Sequence, residues 1–327
     1  AQVRIETQKG DYQKEINILD RLAKIIREKR MSNGALNIIS SEVKFVVNEK
    51  GKPTGVAVKT SKDANKLIEE FMLLANRKVA EFIGKQKPKK TFIYRIHDNP
   101  NEDKLQALNG IISRFGHKLD FKDKKSISAS LNKLLADVKG QKEQNLVDTL
   151  AIRSMSKAIY TTDNIGHYGL GFDYYSHFTS PIRRYSDVLA HRILQENLDG
   201  RTKRVGKEKL ELQCKHISRQ ERKATDAERE STKYKQVEFM KAHVGETFEG
   251  VISGMIDRGI FVETVGSKCE GMIPFDTMSE PFEVGTGRLS ATGRISGDVL
   301  KMGDTIKVRI IGADLDRRRI DMEFVES

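Results

Sequence analysis

Long apolar runs are missing from this 327-residue chain. No stretch approaches the roughly 20 apolar residues that cross a bilayer, which argues against a helical membrane span. The basic, then apolar, then small-residue pattern of a secretory signal does not open the sequence either. Cysteine is scarce. Cys214 and Cys269 stand far apart without metal-ligand neighbours, so they read as free thiols of a reducing cytosol rather than a disulfide framework or a metal site. Acidic charge is in deficit: 58 Lys and Arg against 46 Asp and Glu leave a net charge of +12 and a pI near 9.5. With no membrane signal, that surplus points to a polyanionic partner, nucleic acid first, against the plainer alternative of a lysine-rich surface. At 38% hydrophobic and 32% charged residues, the chain has the balance of a globular protein with room for about two domains.

The run His177-Phe-Thr-Ser-Pro-Ile-Arg-Arg-Tyr-Ser-Asp-Val-Leu-Ala-His-Arg192 reads as a loop feeding a helix. Ser180 suits an N-cap and Pro181 the first helical position, where its missing N–H costs nothing. Arg183 and Arg184 then fall in the first turn, against the helix dipole. Free N–H groups, the dipole and two guanidinium forks together suit a phosphate. Ile182, Tyr185, Leu189 and Ile193 form an apolar stripe facing a core. On another face Asp187 can hold Arg183, and His191 can support Asp187. A purely structural ion pair remains the other reading of that face.

Residues 11–30 carry an amphipathic pattern through Ile16, Leu19, Ala23 and Ile26, broken by Asn33-Gly34. Glu42–Asn48 and Thr54–Lys59 flank Glu-Lys-Gly-Lys as a hairpin. Asp63 can cap a long helix with Leu67, Ile68, Phe71, Leu74, Ala75, Val79 and Phe82 on its apolar side. Further helices are expected near 102–115, 128–138 and 144–158, then a long charged helix over 207–241, the lysines and glutamates from 203 onward reading as an exposed face with opposite charges at helical spacing. From His243 the pattern turns to short strands and glycine turns: Gly259-Ile-Phe-Val-Glu, Glu270-Gly-Met-Ile-Pro and Thr305-Ile-Lys-Val-Arg-Ile-Ile. The segment 276–297 is longer and more irregular than a tight barrel loop, which leaves a strand or a flexible insertion open.

The 177–187 motif resembles the signature of the ribonuclease II / ribonuclease R family of 3′-to-5′ exoribonucleases. His167-Tyr-Gly-Leu-Gly-Phe-Asp-Tyr-Tyr-Ser, Glu42-Val-Lys-Phe, Leu67-Ile-Glu-Glu-Phe-Met-Leu-Leu-Ala-Asn-Arg77 and Tyr94-Arg-Ile-His are similar to that family too, in the expected order. The strand-rich end resembles an S1 domain, a five-stranded OB-type barrel for single-stranded nucleic acid.

The resemblance implies an α+β architecture, with the helix-rich later part of an RNB catalytic domain over 1–242 and an S1 barrel over 243–327. It implies processive hydrolysis of single-stranded RNA to nucleoside 5′-monophosphates with Mg²⁺. In the family the metal-binding aspartates cluster upstream of the point where this chain opens. No comparable run occurs here, and Asp314, Asp316 and Asp321 lie in a basic turn. The expectation is therefore a C-terminal piece of a ribonuclease, inactive alone; the alternative is a non-catalytic single-stranded RNA-binding module.

By the same resemblance Arg183 stabilises charge on the scissile phosphate. Arg184 contacts a neighbouring phosphate or a structural carboxylate, and Thr179 and Ser180 donate to the 3′-terminal nucleotides. Glu70 is favoured over Glu69 as the nucleotide-contacting member of the Glu-Glu pair, a solvated face being the alternative. Glu228 matches an acidic position of some members. In the barrel, Phe261 matches a base-stacking aromatic, whereas Arg258 replaces a second aromatic and Pro274 a histidine, which favours weak, salt-sensitive contact. Arg317-Arg-Arg319 suits backbone contact. Expected partners are single-stranded RNA and other RNA-decay or ribosome-associated factors, with no membrane and a monomeric intact protein.

Overall fold

The structure, a computed structural model, describes residues 1–37, 42–59, 61–141, 143–201, 206–285 and 287–325. In chain order its elements are α1 (Gln2–Thr7), α2 (Gln13–Ser32), β1 (Glu42–Val47), β2 (Pro53–Lys59), α3 (Asp63–Gly84), β3 (Tyr94–Ile96), α4 (Glu102–Ile112), α5 (Lys124–Asp137), α6 (Gln144–Ser154), β4 (Ile159–Thr161), α7 (Tyr185–Leu198) and α8 (Lys207–Lys241). Then come β5 (Thr247–Ile256), β6 (Gly259–Thr264), β7 (Glu270–Pro274), β8 (Phe282–Val284), β9 (Ser290–Gly293), β10 (Val299–Lys301), β11 (Thr305–Asp314) and β12 (Arg319–Phe324). Among the described residues no helix is long and apolar enough to cross a membrane. Two compact units result: 1–38, 61–137 and 150–224 form the first, and 39–60, 138–149 and 225–327 the second.

In the first unit, Ala80 and Ile83 of α3, Phe92 to Tyr94, Ile96, Tyr160, the Leu189–Ala190–Ile193 face of α7, and Leu210 and Cys214 of α8 share one core. Burial of these side chains, roughly 1.5–3 kcal/mol for each large aliphatic or phenylalanine side chain and less for the alanines, sets the frame on which the 177–184 loop rests. The ribbon β3–β4 pairs Tyr94 with Thr161 and Ile96 with Ile159. The early part of α8 clasps it: Glu221 pairs with Arg95 at 2.5 Å, Ser218 Oγ accepts from Tyr160 N, and Glu211 accepts from Thr161 Oγ1 and from both N and Oγ1 of Thr162.

The apolar side of α3 departs from the sequence reading. Its buried stripe is Leu67, Glu70, Leu73, Asn76, Ala80 and Ile83, while Ile68 is 57% and Phe82 48% exposed. On α2, Ala23 is buried as expected but Leu19 is 40% exposed. The stripe on α3 is rotated because Glu70 and Asn76 have buried polar partners, which a count of apolar residues does not register.

In the second unit five strands close a barrel in the order β11-β12-β7-β6-β5, sealed by β11 against β5. Alternation fixes its inside: Ile252, Ile260, Val262, Ile273, Val308, Ile310, Ile320 and Met322 are buried, with Val237 and Met240 from the end of α8 added to the same core. Gly259 admits no side chain, since a Cβ would sit 2.3 Å from the Ile273 carbonyl oxygen. The segment 276–297 supplies β8 and β9, which join β10 in a separate three-stranded sheet. The hairpin β1–β2 pairs Phe45 with Val56, and the Phe45 ring packs on Phe239 at 5.7 Å. Lys203 and Arg204, part of the charged stretch in the sequence, lie outside the described residues.

Candidate functional site

The segment 175–184 is fastened at three places. Asn76, projecting from α3 and only 3% exposed, accepts hydrogen bonds from Phe178 N at 2.9 Å and Thr179 N at 3.2 Å through Oδ1, and its amide donates to Tyr175 Oη at 3.1 Å. Asp187, fully buried, accepts from Ser180 N at 2.8 Å, from Ser186 Oγ at 3.0 Å and from Arg184 Nη2 at 2.8 Å. His191 reaches the Phe178 carbonyl at 2.8 Å and stacks on its ring, centroids 3.9 Å apart.

This geometry corrects the helix start. The sequence puts Ser180 at the N-cap, but α7 begins at Tyr185. The Ser180 carbonyl accepts from Arg183 N and Arg184 N, closing a turn, and the extended Arg184 backbone at φ −128° and ψ 118° interrupts it. Consequently Ile182 and Tyr185 point outward, at 103% and 50% exposure, instead of into the core. Asp187 pairs with Arg184 rather than Arg183, and His191 braces the loop rather than Asp187. Leu189 and Ile193 are buried as the stripe requires.

Arg183 emerges exposed, with no side-chain hydrogen bond or ion pair among the described residues. Beneath it lies a polar, aromatic layer. Tyr160 Oη is 2.6 Å from His177 Nδ1, and the Arg95 guanidinium rides over the Tyr160 ring at 4.6 Å. Burial, then Arg184 and Arg95, hold His177 at a pKa of about 2, and burial with His97 and Arg95 holds His167 at about 3. Both imidazoles are neutral, so they add no charge of their own. Arg95 is matched by Glu221 and Arg184 by Asp187. Positive charge is therefore left over at Arg183, the condition for receiving a phosphate.

Beside the loop, a cavity of about 450 Å³ is lined by Asn65, Glu69, Asn76, Tyr175, Thr179 and Arg184, among others. Both Thr179 Oγ1 and Arg184 Nε are buried, and neither has a hydrogen-bond partner among the described residues. Glu70 is absent from this lining. It lies 1% exposed in a two-pronged ion pair with Arg30, Nη2–Oε1 at 2.5 Å and Nε–Oε2 at 3.1 Å. Arg30 engages the Glu70 carboxylate, and Glu69 is the member of the pair that lines the cavity.

Glu228 sits on an exposed stretch of α8 in the second unit. On the barrel, Phe261 is half-buried in β6, in register with Met272, which is in register with Asp321. Exposed Arg258 lines a second cavity with Met272, Pro274 and Arg319. Asp314 pairs with Arg317 and Asp321 with Arg319. No three His, Cys, Asp or Glu side chains among the described residues converge to hold a metal ion. The donors among the described residues do not fit one, and Asp314 and Asp321 of the basic turn are taken up by arginine. Asn76, Tyr160 and the Arg30 partner of Glu70 escaped the sequence reading. Their roles depend on residues 17 to 103 positions away.

The helix-rich unit displays an arginine-bearing loop, and a closed five-stranded barrel follows it in sequence; the chain belongs to the RNB domain family, whose model matches residues 1–200. The S1 RNA binding domain matches residues 241–324. Among curated proteins, Ribonuclease R 1 of Lactococcus lactis is 36% identical over 318 residues, covering 95% of this chain and 38% of its own length. Ribonuclease R of Aquifex aeolicus is 34% identical, covering 95% and 44%. Among solved structures, Mycoplasma genitalium RNase R in complex with ribose-methylated single-stranded RNA superposes with a TM-score of 0.90 at 25% identity, over 99% of this chain and 52% of that one. The chain thus spans about two fifths of the length of these curated relatives. RNB-family nucleases are generally metal-dependent.

Proposed function

We propose that this chain is the phosphate-recognising and RNA-holding portion of a processive 3′-to-5′ exoribonuclease that hydrolyses single-stranded RNA to nucleoside 5′-monophosphates inside the cell. The observation that carries this reading is the exposed Arg183 guanidinium, without an ion-pair partner among the described residues, at the tip of a loop pinned by Asn76 and Asp187 and beside a cavity lined by Thr179 and Arg184. Mg²⁺ is the expected metal, with its carboxylate ligands outside this chain.

Within that reading, Arg183 neutralises charge growing on the scissile phosphate, an interaction that strengthens as the transition state forms. Thr179 and Arg184 donate to the terminal nucleotides, and Ser180 holds the turn through its backbone. Glu69, not Glu70, faces the nucleotides. Phe261 offers a ring to a base and Arg258 a guanidinium to a base or phosphate on the barrel. Residues 1–242 and 243–327 are the two functional portions.

A second reading, a non-catalytic single-stranded RNA-binding module, is favoured by the absence of a metal-ligating cluster among the described residues. A degradation assay on 5′-labelled single-stranded RNA with Mg²⁺ separates the two. This chain is expected to bind in a salt-sensitive way without cleaving, and the full-length gene product to give a 3′-to-5′ ladder. A full-length product that binds without cleaving leaves the second reading standing.

A further inference from the structure

We infer that Asn76 is a positioning residue for the phosphodiester cleavage, setting the location of Arg183 without touching RNA chemistry itself; this rests on the reading of Arg183 above. Phe178, Thr179 and Ser180 present three successive N–H groups, and two side chains take all of them: Asn76 Oδ1 the first two, Asp187 Oδ1 the third. A buried N–H without a partner costs about 1–3 kcal/mol, so the segment has one favourable placement relative to α3 and α7. Asp187 belongs to the same helix that follows the arginines and moves with them. Asn76 does not. It lies on α3, 102 residues earlier than Phe178, and ties the loop to a second helix that packs on α7 but is distant from it in sequence.

The carboxamide suits the task for a chemical reason. Its oxygen has two lone pairs for the two N–H groups, which can only donate and so fix which end is oxygen, and its amide donates to Tyr175 Oη. The asparagine is 3% exposed and cannot be replaced by water without opening the core. From Thr179 the chain runs four residues to Arg183, through a turn closed by the Ser180 carbonyl, so a shift at Phe178–Thr179 is carried to the guanidinium.

The test uses the full-length gene product, with Asn76→Ala, Asn76→Asp and Arg183→Ala assayed for kcat and KM on single-stranded RNA alongside thermal melting. Asn76→Ala should lower kcat by ~10–100-fold, the scale expected of a misplacement near 1 Å, while KM changes less than about threefold on the same scale. Asn76→Asp keeps the two-lone-pair acceptor, with the Tyr175 hydroxyl able to turn and donate, and should recover most of kcat. An Asn76→Ala variant with wild-type kcat overturns the inference. So does an Asn76→Asp variant no better than alanine, or a loss that appears only as lower melting temperature. If Arg183→Ala turns over normally, the functional reading fails and this inference with it. If Arg183→Ala is crippled and the Asn76 variants are not, the inference about Asn76 alone fails.

Discussion

Arg30 and Glu70, forty residues apart on α2 and α3, form a bidentate ion pair at 6% and 1% exposure. A buried pair of this kind is compensated only while both partners are present, because either charge alone would be stranded away from water. Glu70→Ala and Arg30→Ala should each destabilise by about 3–5 kcal/mol in urea unfolding of this chain. Replacing the pair together by Leu and Met should cost much less than the sum of the two, as a double-mutant cycle reads it. Equal and additive losses would show the two residues acting separately.

Arg183→Ala in the full-length gene product should reduce turnover on single-stranded RNA by at least about 100-fold, the scale of losing one transition-state charge donor. Because the side chain is exposed and makes no ion pair among the described residues, the melting temperature should hardly move. Near-normal turnover would remove Arg183 from the chemistry.

On the barrel, Phe261→Ala should weaken single-stranded RNA binding by roughly 1–3 kcal/mol, the measure of one base–aromatic stack. Arg258→Ala should weaken it uniformly across sequences and lower the slope of log K against log salt by about one phosphate's worth. Filter binding of this chain at two salt concentrations reads both. An unchanged salt slope would place Arg258 off the RNA.

His177 and His167 make stability pH-dependent. Their folded pKa values, about 2 and about 3, lie below the ordinary 6.5, so the unfolded chain takes up protons that the folded chain refuses. Stability is then fully present above pH ~6.5 and falls as pH drops toward pH ~3, by up to about 1.4 kcal/mol per pH unit for each imidazole. Chemical unfolding between pH 4 and 8 should show this slope, and His177→Gln should make it shallower. A slope unaffected by the substitution would locate the acid sensitivity elsewhere.

Some of this was legible in the residues alone. The charged helix over 207–241 is α8 at the same bounds, and Gly259-Ile-Phe-Val-Glu, Glu270-Gly-Met-Ile-Pro and Thr305 onward are β6, β7 and β11. Periodicity carries such information because each residue reports its own burial. The start of α7 was not legible. Ser180 and Pro181 are good local signals for a helix start, yet a carboxylate seven positions on, Asp187, captures the Ser180 N–H and favours a turn. Between adjacent Glu69 and Glu70 sequence offers no local difference, and the outcome depends on Arg30 standing across from one of them.

By itself, then, the sequence determined the kinds of element, the two-part order of a helix-rich RNB portion and an S1 barrel, and the segment that carries the arginines, since these follow from local pattern and motif. Tertiary structure decided which arginine is free, which glutamate faces the cavity and what pins the loop. Those outcomes are set by where buried N–H groups and charges find partners, and here the partners come from elements far away in the chain.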